Sequence, residues 1–193
     1  MTETDGHPKC DLQHLLWEFV GAFTRVQDTI DNVVAKEFFD RRVPKMSKLL
    51  WRRTVKRIND EERVELLKAI AKELESDADL TSFRVVYDRA AELRNKVAHS
   101  TRVVLDGDDQ LIVRTTMIVS SDPEEGVLRV DRQAIRDRSL DCAWLHAQAM
   151  YVIASSNVFP KPSLDGQPME WVRPTARPED WDGTYLQPRT NSS

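Results

Sequence analysis

The chain has 193 residues, of which 31% are charged and 40% hydrophobic, and its formal net charge is −4. That length gives one ordinary domain with a real core and is short for two, and the acidic balance argues against a generally basic nucleic-acid coat, so any basic surface has to be local. No apolar run approaches the ~20 residues of a membrane span and the first eleven residues lack the basic and apolar regions of a signal peptide, from which a cytoplasmic protein without a membrane partner is expected.

Residues 1–11 are polar, carry Gly6 and Pro8, and read as a flexible lead-in. From Leu12 the pattern turns helical, and an apolar stripe of Leu15, Leu16, Phe19, Val20, Phe23, Val26, Ile30, Val33, Val34 and Phe38 predicts the longest helix of the chain. Gly21 lies inside it at a cost of about 1 kcal/mol relative to alanine, which suits a close helix crossing better than a stop. Pro44 fits the first turn of a second helix, with Met46, Leu49, Leu50, Val55 and Ile58 as its apolar positions. Asn59, with Glu62 three residues on, is the capping-box start of a third helix carrying Val64, Leu67, Ile70 and Leu74. Residues 77–81 are a polar break able to cap a further helix over 82–98, whose stripe is Phe83, Val86, Tyr87, Ala90, Leu93 and Val97.

After His99 the period changes from helical to alternating. Val103 and Leu105, a turn at Asp106-Gly107-Asp108-Asp109, then Leu111, Val113, Thr115 and Met117 predict a hairpin, and a third short strand fits around Val127 to Val130. Asp131 can cap a final helical region to about residue 156, broken near Ser139, with Leu140, Ala143, Trp144, Ala147 and Met150 on its buried face. The remainder, 157–193, is punctuated by prolines, shows neither period and reads as an extended tail that Trp171, Trp181 and Tyr185 pin to the domain or to a second subunit. The expected organisation is a helical domain over 12–156 with a β insertion at about 102–130, followed by that tail.

The chemistry converges on Arg94-Asn95-Lys96-Val97-Ala98-His99, at the end of the helix over 82–98. A guanidinium is always charged and forks onto phosphate oxygens, whereas an imidazole titrates near neutrality and can exchange a proton with a hydroxyl. Together they suffice for phosphodiester cleavage without a metal: His99 as general acid or base at the ribose 2′-hydroxyl or the leaving oxygen, Arg94 against the charge building at phosphorus, and Asn95 orienting ring or phosphate. Five residues of helix set the two side chains roughly 140° apart, so they converge only if the helix frays before His99 or if two subunits contribute. An arginine and a histidine at this spacing also arise by chance in a chain with this many arginines, so spacing alone decides little.

The hexapeptide, placed at the end of an amphipathic helix after a long first helix and before a small strand region and a returning helix, resembles the signature of the HEPN superfamily: an arginine, a polar residue such as asparagine, and a histidine after four to six intervening positions. Arg94, Asn95 and His99 match it, and the likeness spans residues 12–156. It implies a mainly α fold, an antiparallel helical bundle with a small β-hairpin insertion after the motif helix. It also implies a metal-independent endoribonuclease without cofactor, cleaving RNA at a dimeric Arg/His site in a homodimer, of the kind found in toxin–antitoxin or phage-defence systems, with an antitoxin or other protein as a further partner. Other members of that superfamily have lost activity and serve as RNA-binding or protein-interaction modules.

Two further patterns bear on partners. Residues 41–57 carry Lys45, Lys48, Arg52, Arg53 and Lys56 among other cations without one acid, a local field able to hold an RNA backbone, or else a solvated helix face paired to Asp60, Glu61 and Glu62. Cys10 with His14 and Cys142 with His146 are each four apart, but the usual zinc spacing and turns are missing, so packed free thiols and no metal are expected.

Overall fold

In the computed structural model, the structure describes residues 12–35, 58–107, 109–115, 126–155 and 162–189. The expected helix beginning at Pro44, with Lys45, Lys48, Arg52, Arg53 and Lys56, lies outside them, as do Cys10 and Phe38.

The fold is mainly α. Its helices, among the described residues, are α1 (Leu12–Ala35), α2 (Asp60–Glu73), α3 (Phe83–Ala98) and α4 (Arg132–Ala154). The stripe of α1 is buried from Leu12 to Val34 and packs mainly against α4, with α2 and α3 completing the core around Phe23, Tyr87, Phe83 and Trp144. No helix among the described residues is long and apolar enough to cross a membrane.

Local chemistry accounts for most element boundaries. Asn59 caps α2 as its spacing predicts: its side chain accepts from the Glu62 N–H at 2.8 Å, and the Glu62 carboxylate accepts from the Asn59 N–H at 3.3 Å. The break before α3 works differently from expectation. Ser82 makes no side-chain cap, and Asp79 instead closes a turn by accepting from the Thr81 N–H and hydroxyl. Asp131 caps α4, accepting from the Ala134 N–H at 2.7 Å.

Strands β1 (Arg102–Asp106), β2 (Gln110–Arg114) and β3 (Val127–Asp131) form an antiparallel sheet in that order, with Leu105 opposite Leu111 and Leu111 opposite Val130. Leu111, Val113 and Val130 turn one face into the core, and Gly107 takes the positive φ that the first turn needs.

Three expectations are corrected. Helix α4 is unbroken at Ser139, whose hydroxyl bonds back to the Ile135 carbonyl at 2.9 Å, and its buried face agrees only in part: Trp144 and Ala147 are inside as expected, but Leu140 is 60% exposed and Ala143 is exposed, while Asp141, Cys142, Leu145 and Gln148 are inside. A Cβ added to Gly21 would meet nothing within 4 Å, so this glycine marks no helix crossing. The segment read as an extended tail contains β4 (Ser163–Leu164), β5 (Gln167–Trp171) and β6 (Leu186–Pro188), a second antiparallel sheet in that order. Asp165 and Gly166, both at positive φ, make the tight turn that starts it.

Of the three expected aromatic anchors, Trp181 reaches the helical core, whereas Trp171 and Tyr185 pair within the segment itself, with ring centroids 6.0 Å apart. The Thr175 carbonyl accepts from both Trp144 Nε1 (2.9 Å) and Gln148 Nε2 (3.0 Å), which satisfies two buried donors of α4.

Candidate functional site

Helix α3 does not fray before the motif ends. The His99 N–H still donates to the Asn95 carbonyl at 2.9 Å, and His99 caps the helix with near-helical dihedrals of −96° and 9°. The roughly 140° between Arg94 and His99 therefore stands. Arg94 points toward α1 and α2: its guanidinium lies over the Phe23 ring, 5.2 Å from the centroid, and 3.8 Å from Asp60 Oδ2. His99 is exposed, Asn95 is half-buried, and no hydrogen bond or ion pair joins Arg94 to His99 among the described residues.

Beneath Arg94 lies a polar network that the motif gave no hint of. Asp60 Oδ1 accepts from Gln27 Nε2 (2.6 Å), Tyr87 Oη (2.8 Å) and Arg63 Nη1 (3.0 Å), which leaves its second oxygen toward Arg94. Arg63 forks onto Asp31 at 2.8 and 3.2 Å. Burial first, then the Asp60 charge, push the Tyr87 phenol well above its usual range, so it stays a donor. Of the acids Glu18, Asp28, Asp31 and Glu92 on α1 and α3, Asp31 joins this network, while Glu18 pairs with His14 and Glu92 with Lys96. The signal of Asp31 in the sequence was an acid adjoining the apolar stripe of α1, between Ile30 and Val33.

A second network lies toward α4. Asp141, 2% exposed, accepts both from Arg89, which grips its two oxygens, and from Arg138, while Arg89 also reaches Glu179 of the C-terminal segment at 3.1 Å. Burial raises the Asp141 carboxyl, against the pull of the two guanidiniums. On one side of these arginines, α3, β3 and the start of α4 enclose a groove of about 300 Å³.

Cys10 lies outside the described residues, and among those described Cys142 and His146 belong to no group of side chains that could hold a metal. Burial, then the Asp141 charge, push the Cys142 thiol up to about 12, which disfavours the thiolate that metal binding needs. His146 is engaged elsewhere, with Nδ1 2.9 Å from Thr29 Oγ1. The Thr29 hydroxyl spends its one proton on the Arg25 carbonyl at 2.8 Å, so Nδ1 is the donor of that bond.

Searched against protein-family models, curated proteins and solved structures, the chain matches none.

Proposed function

We propose that the protein is a metal-independent endoribonuclease of the HEPN kind, acting in the cytoplasm as a homodimer whose sites combine Arg94 of one subunit with His99 of the other. The observation that carries this reading is the continuity of α3 through His99: an exposed imidazole and a half-buried, aromatic-seated guanidinium diverge on one helix, so a second copy is what brings them together. His99 serves as general acid or base, and Arg94 as the fixed cation for charge developing on phosphorus, with Asn95 between them. Such a step needs no Lewis acid. A toxin or phage-defence role, with an antitoxin as partner, is the biological setting this reading takes from the superfamily.

One observation favours a second reading, a non-catalytic RNA-binding or protein-interaction module. Arg94 already has a ring beneath it and a carboxylate 3.8 Å away, which is what a purely structural arginine has.

Total RNA incubated with the protein in EDTA, beside His99→Ala, separates the two. The catalytic reading expects cleavage by the wild type, products with 2′,3′-cyclic phosphate and 5′-hydroxyl ends, and a loss of at least 100-fold in the variant, at the low end of what a general acid–base contributes. His99 is the deciding position because it is exposed and outside the core. RNA that is bound but left intact moves the protein to the second reading.

A further inference from the structure

We infer that the groove between α3, β3 and the start of α4 holds a nucleotide unit of single-stranded RNA, with its phosphates on Arg89, Lys96, Arg129 and Arg138; this rests on the RNA-directed reading above. Among the described residues the groove wall carries those four cations and one carboxylate, Glu92, while Asp141 offsets part of the charge of Arg89 and Arg138 and Glu179 part of that of Arg89. The cations come from three elements, so their convergence is tertiary and not the accident of one charged helix face. Its apolar part, Leu93, Leu128 and Ala134, offers a base the kind of surface that phosphate alone does not need. At about 300 Å³ the groove is at the small end of ligand sites, the scale of one nucleotide unit.

Two features make the cations suited to the task. Arg89 and Arg138 are both held by the buried Asp141, and Arg89 by Glu179 as well, so their guanidinium planes are fixed before any ligand arrives. Lys96 is held by Glu92 at 2.7 Å, an exchangeable contact at the surface. The position relative to the motif follows from the same helix geometry that separates Arg94 from His99. Three residues along a helix are neighbours, so His99 follows Lys96 at the end of α3, just beyond the residues that line the groove, whereas Arg94 faces α1 and α2. A strand seated in the groove therefore passes His99 of the same subunit.

The test is binding of a labelled single-stranded RNA ten-mer by anisotropy across a salt series, using the full chain, Lys96→Ala/Arg129→Ala, and Lys68→Ala/Lys72→Ala as a charge-matched control on α2. The groove variant is expected to bind at least 10-fold more weakly, with a salt slope shallower by about 0.7 for each phosphate contact removed, and the control to match the wild type. Equal binding by the groove variant and the control overturns the groove while leaving the ribonuclease reading intact if cleavage persists. Weakened binding by a protein that cleaves nothing upholds the groove and sinks catalysis. Displacement of the RNA by micromolar 5′-AMP would make this a free-nucleotide site and overturn the assignment to RNA.

Discussion

Asp60 is where the environment of Arg94 is decided, because three donors from α1, α2 and α3 end on one of its oxygens. Asp60→Ala strips the acceptor from Tyr87, Gln27 and one arm of Arg63 at once, and an unsatisfied buried donor is expensive, so a loss of about 2–4 kcal/mol in urea unfolding is expected. Asp60→Asn keeps an acceptor oxygen and should lose about half as much or less. Equal costs for the two would mean that charge, not acceptance, holds the network together. His146 gives a pH dependence of definite sign. Burial first, then the nearby Arg25, depress its folded pKa below the ordinary 6.5, so between the depressed value and 6.5 the unfolded chain binds the extra proton. The stability it contributes is complete above about pH 6.5 and drains away as pH falls through the depressed folded value. Melting temperatures from pH 8 to 5 should show a smaller acid loss in His146→Gln than in the wild type; parallel curves would remove His146 from the account.

At the scale of elements, Gly21 is the simplest defect in the fold. It sits in the exposed side of α1 with open space where a Cβ would go, and its φ needs no glycine, so Gly21→Ala should stabilise the protein by about 0.5–1 kcal/mol. A decrease in melting temperature would show that something covers that face in solution. The same glycine shows where sequence reading reaches its limit: the periodicity of α1 was legible because eight of its apolar side chains face one core, but whether a neighbour passes Gly21 is a tertiary fact. The capping box at Asn59 could be read because both its partners are local. The buried face of α4 could not, since Asp141 and Gln148 look like surface residues until Arg89, Arg138 and the Thr175 carbonyl arrive from other elements. The second sheet left one local sign, Asp165-Gly166, that the prolines around it obscured. Of the candidate site, the motif residues and their divergence were legible from helix geometry, whereas the seat of Arg94 on Phe23 and Asp60 depends on helix packing that no spacing encodes.

For the whole molecule, the decisive question is whether Arg94 and His99 act across subunits. In a dimer whose sites each take Arg94 from one chain and His99 from the other, Arg94→Ala and His99→Ala homodimers are both inactive, yet a mixed dimer keeps one intact pair, the other pair carrying both lesions. Random exchange at equal amounts makes half the dimers mixed, each with one working site of two, so activity should return to about a quarter of the wild type. A site built within one chain gives no such return, because every chain in the mixture lacks one of the two groups. Arg94→Lys is a useful companion, since it keeps a cation over Phe23 at less risk to the fold than alanine while losing the fork that grips phosphate. Sedimentation at micromolar concentration belongs beside the mixing assay: a monomer in both the free and RNA-bound states, or a mixture as dead as its components, would end the composite-site reading and return Arg94 to a structural role.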